Sequence, residues 1–421
     1  MNHPNIIYFH THDTGRYIEP YGAPIRTPRL QAFAEESVVF RNAHSVAPTC
    51  SPSRAGLLTG QWAHSAGMLG LTHRGHSLAD YDRHLVNTLH QQGYTSALIG
   101  VQHEADGPDA AVRTIGYQEE VPVDGGLAPA RREAAVGYLQ RQHDQPFFLS
   151  IGLMETHTMT DRGWVFGHPG GDDRWLAPAP TMPNTPATRS DMASFHAAAR
   201  QVDDTLGAVL DTLDDQGLAD NTIVLVTTDH GLAMPGMKCT LGAGGTGVLM
   251  MLRGPGLPTG LGVDSLVSQV DVFPTLCDLL DIDRPHWLQG ESLLPTFEGH
   301  SIREETFAEI NFHVVYQPQR AIRTERWLYV KDFDNRDRPT LRNVDDSASR
   351  ALWVDAGWAD QELPPVRLHD LMFDPYEQHN LADSPATATI QADLARRLDR
   401  WMVDTDDPLL HGPIPEPATN R

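Results

Sequence analysis

The chain alternates short, β-rich apolar runs with segments of helical periodicity, and this alternation constrains its fold more than any other feature. The most apolar run, residues 222–227, follows a long amphipathic segment that predicts a helix from Ser190 to Gly217. Such alternation is typical of a parallel sheet with helices on both faces. The predicted strands are residues 5–10, 38–40, 95–100, 146–153 and 222–227, and the predicted helices are residues 28–36, 84–92, 131–142 and 190–217. We therefore predict an α/β fold with a large, mostly parallel sheet sandwiched by helices.

The alternation of strands and helices stops near Glu304. A strand-like run follows over residues 321–331, then a loop-rich stretch, and then a predicted helix at about residues 387–403. A chain of 421 residues is long enough for a large domain and a smaller one. We predict a catalytic α/β domain over residues 1–303 and a smaller C-terminal α+β subdomain over residues 304–421, which contains a short antiparallel sheet.

Charge and composition argue against several classes of partner. The formal net charge is −23, whereas binding to nucleic acid or to an anionic membrane depends on clustered Lys and Arg. Cys50, Cys239 and Cys277 do not make a disulfide framework, and no stretch approaches the roughly 20 apolar residues of a membrane span. The first residues also lack the apolar region of a signal peptide. We expect a cytoplasmic protein without a nucleic-acid or membrane partner.

The run Cys50-Ser51-Pro52-Ser53-Arg54 is a candidate anion site. Pro52 and the residues after it predict a short helix that ends at Gly60, so Cys50 is expected just ahead of the helix N-terminus. Unpaired backbone N–H groups and the helix dipole favour an anion there, and Arg54 can present its guanidinium group to the same anion. Taken alone, Cys50 is more simply a small buried apolar residue.

Polar residues with ligand or acid–base chemistry follow several of the predicted strands. The carboxyl ends of parallel strands meet at one edge of a sheet, where ligands bind in such folds. A single His or Asp at such a position is more often a helix cap or a loop residue. As a group they predict one cleft, because independent caps would use Ser, Thr and Asn as freely as His. They are His12, Asp13, His103, His157, Asp229 and His230.

Together these segments resemble the sulfatase family. The run from Cys50 to Arg54, followed by leucine and Gly60, is similar to the signature of that family. Residues 5–15 resemble its first strand and its pair of metal-binding acids, with Asp13 on the second acid and His12 in place of the first. Asp229-His230-Gly231 resembles the family's Asp-Asn-Gly, with His230 in place of Asn. Among relatives, the sulfamidase-like branch is the most similar, and the resemblance implies an alkaline-phosphatase-type α/β fold.

The resemblance implies a nucleophile and a metal site. In the family the signature cysteine is oxidised to formylglycine by a formylglycine-generating enzyme, so Cys50 is the expected modified residue. The hydrated aldehyde offers two hydroxyls on one carbon: one takes up the sulfuryl group, and the other expels it when the aldehyde forms again. The expected ligands of one divalent metal ion are His12, Asp13, Cys50, Asp229 and His230. The family suggests calcium, while the two imidazoles make manganese or zinc plausible.

The resemblance also assigns the remaining catalytic roles. Arg54 holds the nucleophile and the bound anion together with the metal. Lys238 and His157 bind the sulfuryl group and stabilise or protonate the leaving group. His103 takes the proton from the second hydroxyl, which lets the adduct collapse to the aldehyde. The implied reaction is hydrolysis of a sulfate ester or an N-sulfate in a small anionic substrate, and the resemblance also allows a homo-oligomer.

One departure from the family pattern leaves two alternatives open. Val101 stands where the family carries a lysine that contacts the sulfate, and Gln102, His10 and His73 are candidates to replace it. The loss of this cation, together with His230, favours a phosphonate monoester hydrolase or phosphodiesterase as one alternative. The other is a catalytically silent binding protein, of which an unmodified Cys50 would be the sign.

Overall fold

The computed structural model describes residues 3–159, 165–166 and 170–417. Its strands are β1 Asn5–Thr11, β2 Val38–Phe40, β3 Ala43–His44, β4 Thr95–Gly100, β5 Glu119–Glu120, β6 Phe147–Gly152, β7 Thr158–Met159, β8 Val165–Phe166, β9 Thr222–Thr228, β10 Met250–Arg253, β11 Leu261–Val263, β12 Val267–Ser268, β13 Glu305–Phe312, β14 Tyr316–Thr324, β15 Trp327–Asp332 and β16 Val366–Asp370. Its helices are α1 Pro28–Glu35, α2 Cys50–Thr59, α3 Leu85–Gln91, α4 Ala128–Leu139, α5 Pro186–Asp215, α6 Ala243–Thr246, α7 Val272–Leu279, α8 Ala348–Asp355 and α9 Ala388–Asp404.

The core of the protein is an eight-stranded sheet with the order β11-β2-β10-β9-β1-β6-β4-β5. Strand β1 pairs in parallel with β6 on one side and with β9 on the other. Within this sheet β10 runs antiparallel to both of its neighbours, β9 and β2, and the other pairs are parallel. The predicted large, mostly parallel sheet is therefore confirmed.

Helices cover both faces of this sheet. Along β1, Ile6 and Tyr8 pack into a buried cluster with apolar residues of α2, α3 and α7. The alternate residues, Ile7 and Phe9, pack into a second buried cluster with residues of α1, α4 and α5. Successive side chains of a strand point to opposite faces, so a strand that is apolar at every position needs a cover on both sides.

Two of the predicted helices have different bounds in the structure. Helix α5 begins at Pro186, not at Ser190, because the Thr185 hydroxyl accepts a hydrogen bond from the backbone N–H of Thr188. Proline at the first helical position suits this start, since its missing N–H would have no partner inside the helix. Helix α4 begins and ends three residues before the predicted 131–142.

The C-terminal part contains a four-stranded antiparallel sheet with the order β13-β14-β15-β16, as predicted, and α9 packs against β14 and β15. The stretch predicted to be loop-rich contains a further helix, α8, whose N-cap residue Ser347 accepts a hydrogen bond from the N–H of Arg350. One buried cluster joins Val46 and Trp62 of the N-terminal part to Ile322 and Trp401 of the C-terminal part. The division at residues 303 and 304 stays a prediction. None of the helices in the described residues is long and apolar enough to cross a membrane.

We expect the buried ion pair between Arg320 and Asp407 to matter for the stability of the C-terminal part. Arg320 donates from Nε to Asp407 Oδ2 at 2.5 Å and from Nη2 to Oδ1 at 2.8 Å, and both side chains are fully buried. The substitution Asp407→Asn should lower the free energy of unfolding by about 3 kcal/mol, because it leaves a buried guanidinium group without its main counter-charge.

The matched control is Asp264→Asn, which breaks the exposed pair of Arg41 and Asp264. Exposed pairs contribute less than about 1 kcal/mol. Urea denaturation of both variants measures the two effects, and equal losses of stability would contradict the prediction.

Candidate active site

The predicted ligand residues lie together because β1 and β9 are neighbours in register. Thr11, the last residue of β1, pairs with Thr228, the last residue of β9. The residues that follow the two strands therefore lie side by side at one edge of the sheet. They are His12 and Asp13 after β1, and Asp229 and His230 after β9. The backbone N–H of Asp13 donates to Asp229 Oδ1 at 2.9 Å, which joins the two loops directly.

Helix α2 brings Cys50 to these strand ends. The sequence predicted that Cys50 precedes the helix, but Thr49 is the N-cap residue and Cys50 is the first residue of α2. Arg54, one turn later, donates from Nη2 to Asp229 Oδ2 at 3.1 Å and to the carbonyl of Thr11 at 2.8 Å. These bonds hold the first turn of α2 against the ends of β1 and β9, with Cys50 facing the cluster.

The tautomer of His230 follows from its hydrogen bonds. Its Nδ1 lies 3.0 Å from the carbonyl oxygen of Gly231, and a carbonyl can only accept, so Nδ1 carries the hydrogen. In the neutral ring Nε2 then has a free lone pair. This atom lies 3.3 Å from the Cys50 sulfur and 3.3 Å from Asp13 Oδ1. His230 is thus oriented as a ligand toward the centre of the cluster.

The cluster has unused donor atoms that fit a metal ion. His12 Nδ1 lies 3.1 Å from Asp229 Oδ2 without the alignment of a hydrogen bond. Within the described residues, neither ring nitrogen of His12 nor Asp13 Oδ1 has a hydrogen-bond partner, although both side chains are buried. Ligand atoms of His12, Asp13, Cys50 and Asp229 all lie within 4.8 Å of one another. Buried polar atoms without partners are costly, and a cation among them would satisfy them.

The protonation states suit such a site. Burial alone would raise the pKa of Asp229, but the nearby His230, Arg54 and His12 hold it well below its usual value. Burial, reinforced by Arg54, lowers the pKa of His12 well below its usual value, so the ring is neutral. Burial raises the pKa of the Cys50 thiol well above its usual value. An unmodified Cys50 is therefore a thiol, which is a poor nucleophile and a poor ligand.

Lys238 lies beside the cluster and has two carboxylate partners. Its Nζ is 2.9 Å from Asp13 Oδ2 and 2.9 Å from Asp345 Oδ2. Burial by itself lowers the pKa of Lys238, but these two carboxylates raise it well above its usual value, so the ammonium group stays charged. His157 Nε2 lies 3.4 Å from the same Nζ. The structure thus brings Lys238 and His157 together.

Asp345 is the site residue that sequence reasoning missed. It precedes α8 in the C-terminal part and reaches Lys238 from 107 residues away. No motif marks it, and its surroundings in the sequence are a loop-rich run of acidic and small residues. Only the packing of the two parts of the chain against each other places it in the site.

His103 lies at the edge of the same cluster. Its ring is 5.0 Å from the ring of His12, and Nδ1 has no hydrogen-bond partner among the described residues. Burial, with a contribution from the charge of Arg54, lowers the pKa of His103 to about 3. The ring is therefore neutral at pH 7.

Two of the three candidates to replace the family lysine at Val101 are already engaged. The side-chain carbonyl of Gln102 accepts from the backbone N–H groups of residues 103, 104 and 105, so it stabilises its own loop. His10 accepts from Arg54 Nη1 at 2.5 Å and bonds Ser150 Oγ at 3.0 Å through its other nitrogen. His73 is exposed, with its ring 6.3 Å from that of His103, and it remains the candidate.

Comparisons with known proteins found relatives that are similar to this chain over most of its length. The human N-sulphoglucosamine sulphohydrolase is 28% identical over 92% of this chain and 88% of its own length. An ulvan-active sulfatase of Formosa agariphila is 25% identical over 96% of this chain and 75% of its own length.

The fold is shared with solved structures. The solved structure of a 2-O GAG sulfatase superposes with a TM-score of 0.76 at 22% identity, covering 97% of this chain and 94% of that one. The sequence model of the family described as Sulfatase matches residues 4–282, which is well over half of the chain. The chain therefore belongs to the sulfatase family, whose members are sulfuric ester hydrolases.

Proposed function

We propose that the protein hydrolyses sulfate esters or N-sulfates with a nucleophile derived from Cys50 and a divalent metal ion. The observation that carries this proposal is the position of Cys50 in the first turn of α2, with its sulfur 3.3 Å from His230 Nε2 and beside the buried group of His12, Asp13 and Asp229. The name of the human relative, an N-sulphoglucosamine sulphohydrolase, supports N-sulfates as one substrate class.

Conversion of Cys50 to formylglycine is part of the proposal. A buried thiol with a raised pKa would attack a sulfuryl group poorly, and a thiol adduct would have no internal means of release. The hydrated aldehyde supplies two hydroxyls on one carbon, one to accept the sulfuryl group and one to expel it. A formylglycine-generating enzyme is then a necessary partner for maturation.

The metal would be held by His12, Asp13, Asp229 and His230, next to residue 50. A divalent ion supplies Lewis acidity, which stabilises the charge that develops on the sulfuryl oxygens. Two imidazoles among the ligands favour manganese or zinc over calcium, which prefers oxygen ligands, although the family resemblance suggests calcium.

The protein's own groups would complete the reaction. Arg54 is fixed by Asp229 and Thr11, so it can orient residue 50 and the bound anion without moving. Lys238 and His157 lie next to each other, where they can bind the sulfuryl group and stabilise or protonate the leaving group. His103, whose ring lies 5.0 Å from that of His12 at the edge of the cluster, would accept the proton from the second hydroxyl.

The first test is the chemical state and the replacement of Cys50. In protein produced with a formylglycine-generating enzyme, the peptide that contains Cys50 should be about 18 Da lighter than its cysteine form, because CHO replaces CH₂SH. The variant Cys50→Ala should lose activity by about a thousandfold or more while its circular dichroism spectrum stays unchanged.

Cys277→Ala serves as the control, since this buried thiol lies in the apolar cluster beside α2 and not among the ligand residues. It should keep nearly all activity. Substantial turnover by Cys50→Ala would exclude the covalent mechanism.

The second test concerns the metal. His12→Ala should weaken metal binding by at least about tenfold, because it removes a buried ligand. It should also reduce the rise in melting temperature that added metal ion produces in the parent protein. Elemental analysis and thermal unfolding measure both effects without relying on activity. His300→Ala, at an exposed position, is the control and should bind metal as the parent does. Unchanged binding by His12→Ala would remove it from the ligand set.

A phosphonate monoester hydrolase is the second candidate function. Two residues favour it: Val101 replaces the family lysine that contacts the sulfate, and His230 replaces the family's Asn. Rates with aryl sulfate, aryl sulfamate and aryl phosphonate monoester on the same modified protein separate the two. The proposal expects the sulfur substrates to have the higher kcat/KM, and a higher value for the phosphonate would replace it with the second candidate.

A further inference from the structure

Among the described residues, Asp345 is the one carboxylate of the site that comes from the C-terminal part of the chain. Its Oδ2 lies 2.9 Å from Lys238 Nζ, the same distance as Asp13 Oδ2. Ligand atoms of Asp13, His157 and Asp345 lie within 4.8 Å of one another, a group that shares Asp13 with the buried set around Cys50. Lys238 is therefore shared between a carboxylate of the metal cluster and one outside it.

Exposure distinguishes these two carboxylates. The side chains of Asp13 and Lys238 are 0% and 2% exposed, whereas those of Asp345 and His157 are 15% and 19% exposed. Cys50 and Arg54 are buried at the base of the site. Because the base is closed, the leaving group of a substrate bound at residue 50 must extend toward the open side. That side carries the Asp345 carboxylate and the His157 imidazole, together with the half-buried His103, which has a ring nitrogen within 4.8 Å of the Cys50 sulfur.

The charge balance makes this carboxylate significant. The described site contains two permanent cations, Arg54 and Lys238, and three carboxylates, Asp13, Asp229 and Asp345. A divalent ion in the buried set would neutralise the two negative charges of Asp13 and Asp229. Asp345 shares Lys238 with Asp13, its other basic neighbours are the imidazoles of His157 and His313, and Val101 supplies no cation nearby. Among the described residues, its Oδ1 has no hydrogen-bond donor, so part of its negative charge faces the cleft.

We propose that Asp345 selects substrates whose leaving group carries a cationic substituent, such as a quaternary or protonated amine, next to the sulfuryl group. This inference rests on the proposed function and narrows its substrate class. A partly dehydrated carboxylate attracts a cation several ångströms away more strongly than a fully hydrated carboxylate does. It also repels a second anionic group on the substrate. The substrate sulfuryl group binds Lys238 while the cationic substituent faces Asp345.

The test is a binding measurement with two sulfonates that cannot be hydrolysed. One is trimethylammoniopropane sulfonate, and the other is its carbon isostere, in which a tert-butyl group replaces the trimethylammonium group. Isothermal titration of the full-length, modified and metal-loaded protein should show about tenfold tighter binding of the cationic probe. The two probes have the same shape and the same sulfonate, so the difference reports the charge alone.

Variants assign the preference to Asp345. Asp345→Asn should reduce the preference to about twofold or less, and Asp345→Glu should restore most of it. The control Asp346→Asn removes the adjacent carboxylate, which is half exposed and pairs with Arg350, and it should leave the preference unchanged. Thermal unfolding of each variant verifies that it is folded.

The outcomes separate the inference from the proposed function. Equal binding of both probes by the parent protein, or the same preference in Asp345→Asn, would overturn the role of Asp345 and leave sulfate hydrolysis standing. If Asp345 only positions Lys238, its replacement would weaken both probes equally, which also overturns the inference. A failure of both probes to bind would instead overturn the anion pocket of the proposed function, and the inference with it.

Discussion

The carboxylate of Asp229 is the interaction on which the rest of the site depends. Its Oδ1 accepts from the backbone N–H groups of Asp13 and His230, and its Oδ2 accepts from Arg54. A single buried group thus connects the ends of β1 and β9 to the first turn of α2. Removing this side chain would take the acceptor away from all three donors in a closed interior and would remove a bond that holds the first turn of α2, so structure and chemistry depend on the same two oxygens.

Much of this arrangement could be predicted from the sequence, because local rules and the long-range structure agree. A strand apolar at every position, such as residues 222–227, requires helices on both faces, and parallel strands in register place the residues after them at one edge. These two rules are enough to predict from the sequence that His12, Asp13, Asp229 and His230 lie together. The start of α5 was misjudged because Thr185 and Pro186 form a cap that outweighs the later Ser190.

Asp345 and α8 could not be predicted, for a different physical reason. The contact between Asp345 and Lys238 depends on how the antiparallel sheet packs on the N-terminal part, and no periodicity within a short segment encodes that packing. The net charge of −23 was equally uninformative about the site. Arg54 and Lys238 are almost completely buried, so their electrostatic interactions are mainly with the groups that contact them. Local charge in a closed site is set by a few neighbours within a few ångströms, and the overall composition does not report it.

The joining of the two parts has a consequence for how such a protein can diverge. The reacting groups come from strand ends whose positions are coupled through Asp229, so most changes there would disrupt several of them together. Asp345 is attached to the site by a single ammonium group and stands on a segment with no share in the large sheet. Substitutions in the C-terminal segment can therefore change the substrate specificity while the catalytic residues stay the same.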